Sequence, residues 1–160
     1  MKNALSAIAV AGLIVGTLDL TQASILFGWK IPLVIAGGLL GPAAFHGGAG
    51  TYVLGLLLHY FIAFSIAAIY YAASRRLDFL VEHPLVCGLF YGAAVEEVMN
   101  LVVLPLSALQ ARGPYRLYDL LQGLLIHMVV AGLPISFTVR WFRRREHSSR
   151  PRTSPEGTSV

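Results

Sequence analysis

Four long apolar runs, Ala4 to Phe27, Thr51 to Ser74, Pro84 to Pro105 and Tyr118 to Trp141, leave this chain few ways to fold. A helix needs about 20 apolar residues to cross a hydrocarbon core of about 30 Å, and each run is that long. In lipid every backbone N–H and C=O must be paired within the protein, which a helix achieves along its own length. The runs use more than half of the 160 residues and leave no room for a soluble domain. The chain is 56% hydrophobic and 12% charged, with a mean hydropathy of +0.69, whereas soluble proteins are roughly a quarter charged. The expected fold is all-α: a polytopic four-helix bundle filling residues 1–142, with the lipid bilayer as its first partner.

The first run follows Lys2 and resembles the start of a signal peptide, with Thr21 and Ala23 as small residues before a cut. It is nevertheless long enough to span and carries no strong cleavage motif, so it reads as the first span. Residues 28–50 are apolar but broken by Pro32, Gly37, Gly38, Gly41, Pro42, Gly47 and Gly48. That composition predicts an interfacial or re-entrant segment on the outer surface and not a fifth span. The tail from Arg143 to Val160 is basic, then rich in Ser, Pro and Thr, and reads as disordered.

The net charge of +4 and pI near 9.5 do not mark a nucleic-acid binder, because the basic residues sit at the ends of apolar runs. They are topology signals. With both termini inside, Lys2, Arg75, Arg76, Arg140, Arg143, Arg144, Arg145, Arg150 and Arg152 lie on the inner side. Lys30, Arg112 and Arg116 lie outside. Nine against three predicts cytoplasmic N- and C-termini in a bacterial inner membrane.

Ionisable groups inside spans cost roughly 2.5 to 3.5 kcal/mol at mid-helix for Asp, Lys or Arg, so each needs a partner or a task. Five stand out: Asp19, His59, Glu96, Glu97 and His127. Asp19, His59 and Glu97 lie eight residues from the outer ends of their runs, and His127 nine. All four helices therefore carry an ionisable group about 12 to 14 Å below the outer end, at about 1.5 Å per residue. Gln22 and Asn100 stand three or four residues away on the same helical faces as supporting polar groups. Adjacent Glu96 and Glu97 cannot point the same way, so one should face the bundle and the other a seam or a second protomer.

A weak repeat accompanies this layer. Gly55-Leu-Leu-Leu-His59 matches Gly123-Leu-Leu-Ile-His127, and Gly12 and Gly16 before Asp19 match Gly88 and Gly92 before Glu96. The chain then reads as two helix hairpins, each supplying a carboxylate and an imidazole. Gly55 and Gly123, one turn before each histidine, leave room for a flat ligand or a close helix.

Several functions stay open. His59 and His127 with Asp19 and Glu96 have the donor chemistry for a divalent metal ion, and the same groups could pass protons. The two histidines could also ligate haem b, with Arg112 and Arg116 for the propionates. The bland alternative is polar packing in an accessory or assembly subunit of a larger membrane complex, or in a homo-oligomer. No HExxH, ExxH pair, Walker A loop or GxSxG elbow occurs, so no catalytic reaction is supported. Cys87 reads as a small buried hydrophobe, and His46, His83 and His147 as solvated.

The stretches HYFIAFSIAAIYYAASRR, GLFYGAAVEEVMNLVVLPLSAL and QGLLIHMVVAGLPI resemble helices 2 to 4 of the YagU-like family of small bacterial inner-membrane proteins. The resemblance covers roughly residues 12–144 and rests on His59, Met99, Pro105, Leu106 and His127. It implies a four-helix inner-membrane protein of no settled biochemical activity. Asp19, Glu96 and Glu97 have no counterpart in that resemblance.

Overall fold

The computed structural model describes residues 2–111 and 116–148; Met1, Arg112 and the tail from Ser149 lie outside the described residues. The described residues are helices joined by short turns and loops, with no strand among them. Helix α1 is Lys2–Phe27, α2 Ile31–Leu40 with a 3-10 extension Gly41–His46, α3 Ala49–Ser74, and α4 the single turn Phe79–Glu82. Helix α5 runs Pro84–Leu106. Helix α6 starts as Leu117–Ile126, passes through His127–Gly132 and ends as Leu133–Ser148.

Helices α1, α3, α5 and α6 are each long and apolar enough to cross a membrane. Only 17 to 28% of each apolar window is buried within the chain. Outward faces carry Leu5, Phe61, Phe90, Leu101 and Leu125, a surface that suits lipid and not water. Trp29 and Tyr118 at one end, and Trp141 at the other, are the aromatic anchors expected at the two interfaces. The chain is an all-α membrane protein built on a four-helix bundle.

Small residues set the helix spacing. Gly12 and Gly16 of α1 lie against Phe64 and Tyr60 of α3, and Gly88 and Gly92 of α5 lie against Ser136 and His127 of α6. Each hairpin thus closes through the paired glycines of its first helix, and the two halves match further. His59 bonds the Gly16 carbonyl, while the His127 backbone rests on Gly92, the equivalent position of the repeat.

The dry core occupies the end of the bundle carrying Arg75 and Arg143: Ala7, Val15, Tyr70, Tyr71, Ala131, Ile135 and Val139 form it. At the other end α2 lies along α3, the Pro32 carbonyl filling the space that Gly55 leaves. The 28–50 segment is therefore a packed helix and 3-10 turn. The α5–α6 connection is stapled to it by Ala108 N–H donating to the Gly38 carbonyl at 2.8 Å, and Leu109 seats on Gly37.

Two stretches widen into π-helix, Met99–Val103 in α5 and His127–Gly132 in α6. Each ends two residues before a proline, Pro105 and Pro134. A proline ring clashes with the carbonyl four residues earlier and supplies no N–H, and a wider turn relieves both faults. Sequence reading placed the prolines without anticipating the π turns.

The expected disordered tail begins too early. Helix α6 continues to Ser148, and Arg143, expected as a topology residue at the start of a disordered tail, is buried. Its guanidinium donates to the Ser74 carbonyl at 3.4 Å and to Glu146 at 3.3 Å, and stands 3.9 Å from Asp78. Burial is tolerated because carboxylates and the carbonyl end of α3 neutralise the charge. Glu146 also accepts from Tyr71 and faces Arg75 at 3.9 Å, while Arg145 stacks 3.6 Å over Trp141. Arg76 is exposed.

Candidate intramembrane site

The polar groups of three spans meet at His127. Its Nδ1–H donates to Glu96 Oε2 at 2.8 Å and shares the Gly123 carbonyl at 3.1 Å, while Nε2 faces Asp19 Oδ1 at 3.8 Å. Asn100, one turn along α5, donates to the other Glu96 oxygen at 2.9 Å. Glu96 is only 8% exposed, so these bonds replace the water that its carboxylate would otherwise hold.

Backbone choices make the convergence possible. A side chain at Gly123 would strike Glu96 Oε1, and one at Gly92 would strike the His127 backbone. Gly123 therefore makes room for the neighbouring helix's carboxylate, which removes the flat-ligand reading of that gap. Gly55, its equivalent, is filled by the α2 backbone.

His59 stands apart from this chain of contacts. Its Nε2–H donates to the Gly16 carbonyl at 2.8 Å, one turn along α1 from Asp19. His59, Asp19 and His127 nevertheless line one cavity of about 600 Å³ whose other walls come from α1, α2, α3 and α5. Gln22, expected beside Asp19, lines a separate cleft with Tyr118 and Gln122. Glu97 is exposed on the outer surface of α5 and takes no part in the site. Of the five ionisable residues read as one layer, three are in contact, one joins through the cavity and one faces away.

Among the described residues, no three His, Cys, Asp or Glu side chains gather in a metal-holding group. His127 already lies between two carboxylates and His59 Nε2 is committed to a carbonyl, so an opposed pair of free axial nitrogens is not presented. Arg112, proposed for the propionates, lies outside the described residues. Sequence reasoning missed the Gly16 carbonyl and the α2 wall; for the wall, the glycine and proline pattern of residues 28–50 was the signal.

In comparisons with known proteins, no family model, no curated protein and no solved structure matches this chain.

Proposed function

We propose that this is an inner-membrane protein, termini cytoplasmic, in which Asp19, His127 and Glu96 hand protons between the cavity and the α5–α6 seam. The positive-inside asymmetry supports the orientation, and the likeness at His59, Met99, Pro105, Leu106 and His127 supports placing it among YagU-like proteins. One observation carries the function: a single imidazole with Glu96 on one nitrogen and Asp19 on the other.

The transfer balances without any co-reactant. A protonated Asp19 gives its proton to Nε2 as the Nδ1 proton passes to the Glu96 carboxylate. The ring stays neutral and changes tautomer, and a carboxylate is left on Asp19. The 3.8 Å gap exceeds a hydrogen bond, so a side-chain rotation or one bridging water closes it. Reconstituted in vesicles with an entrapped pH dye, the wild type carries protons under an imposed potential above the protein-free level. His127→Gln lowers this at least tenfold. Equal flux in that variant ends the relay reading.

Glu97 favours a second reading, an accessory subunit or homo-oligomer. A carboxyl beside Phe90 and Leu101 on an outward span face is costly in lipid and is better housed against another helix. Native mass spectrometry from mild detergent separates the two: that reading requires a multimer or a co-purifying subunit that Glu97→Leu disrupts.

A further inference from the structure

From the cavity's walls and charge we infer that it binds an amphiphilic organic cation, an apolar body carrying a protonated amine, with the ammonium on Asp19. Side chains such as Val34, Ile62, Val95 and Met99 make the walls largely apolar, and the lining includes no Lys or Arg among the described residues. Pockets of about 300 to 1,000 Å³ with apolar walls and a few convergent polar groups are the usual form of small-molecule sites, and this one holds about 600 Å³.

The polar groups set the sign of the ligand. Two carboxyl groups share one imidazole, so with both ionised one negative charge is left uncompensated even when His127 is protonated. Glu96 has its partners at 2.8 and 2.9 Å, whereas Asp19 is the loosely held acid, at 3.8 Å, and the one that lines the cavity. His59 commits its Nε2–H to the Gly16 carbonyl. Asp19 accepts hydrogen bonds, so the head must donate them. A carboxylate or phosphate head would meet the like charge of Asp19, and a neutral lipid tail would leave Asp19 unpaired.

This deepens the proton reading, since an amine displacing the Asp19 proton would couple binding to the relay, but it is tested without any proton readout. The probes are 1-naphthylmethylamine, the isosteric 1-naphthylmethanol, and 1-naphthylacetate, equilibrated by dialysis with full-length protein in nanodiscs against empty discs. The amine is retained above empty discs at one per chain, and the alcohol and acid are not. Asp19→Asn lowers amine affinity at least tenfold, and Glu97→Gln, outside the cavity, leaves it unchanged. Should Asp19→Asn not fold, Val34→Trp, which narrows the cavity from an exposed wall position, serves in its place and lowers retention similarly. Equal retention of amine and alcohol, or undiminished binding in the variant, overturns the inference. Amine binding without proton flux overturns the relay alone, and flux without amine binding overturns the ligand alone.

Discussion

His127 Nδ1 lies 2.8 Å from Glu96 Oε2, across the seam between α6 and α5. The pair joins two helices whose backbones touch at Gly92, so it holds rotation as well as spacing. Polar contacts between spans are worth about 1 to 2 kcal/mol in model helices and about 0.6 on average in a folded membrane protein. A double-mutant cycle of Glu96→Gln and His127→Gln, read by unfolding in mixed micelles, should give a coupling of about 1 kcal/mol. A coupling of zero would mean that the bond contributes nothing to holding the seam.

Gly92 is predicted to be intolerant of the smallest change. An added methyl there would strike the His127 carbonyl and the Met128 α-carbon, backbone atoms that cannot turn aside. Overpacking of this kind costs about 1 to 3 kcal/mol. Gly50 is the internal contrast, since a methyl there meets open space within α3, and alanine should stabilise by about 0.5 to 1 kcal/mol. Thermal melting of Gly92→Ala and Gly50→Ala should therefore move in opposite directions.

The four spans were legible because lipid imposes one strong requirement, a long apolar run, and runs end where arginines or prolines stand. Expected Thr51 to Ser74 and observed Ala49–Ser74 differ by a fraction of a turn. Depth counting put Asp19, His59, Glu97 and His127 near one level, because helical rise is fixed, and the side chains in contact there are Asp19, Glu96 and His127. Rotation was not legible. Neighbouring Glu96 and Glu97 have the same depth and chemistry, and only the glycine seam of α5 against α6 selects Glu96 for the inside. Nor could periodicity place α2, since its apolar residues lack a polar face to orient them, and its packing on Gly55 is a backbone contact.

Arg143 offers a test at the opposite end of the bundle. It ties α6 to the last turn of α3 through Ser74 and to Asp78 and Glu146, and it is 8% exposed. Removing a buried donor that serves charged partners costs about 2 kcal/mol. Arg143→Ala should lose about that much stability, and Arg143→Lys should recover only part, since an ammonium cannot reproduce the planar fork. Arg76→Ala, at an exposed position, should be neutral. Equal melting of all three variants would show that neither the charge nor the hydrogen bonds of Arg143 contribute to stability.

The proposed orientation rests on where charge must stay. The end of the bundle that holds Arg75, Arg140, Arg143 and Glu146 pairs its cations locally, yet cations within a turn or two of the spans still dominate over the few at the α2 end. Basic residues near span ends resist translocation, and acidic partners do little to offset them. Alkaline phosphatase fused after Lys30 should be active and green fluorescent protein there dark, with the reverse after Arg76 and after Val160. The cavity under α2 would then open toward the periplasmic half, where an amine arriving from outside meets Asp19 before it meets the dry core. Active phosphatase after Arg76 would invert the molecule and place the same cavity on the cytoplasmic side.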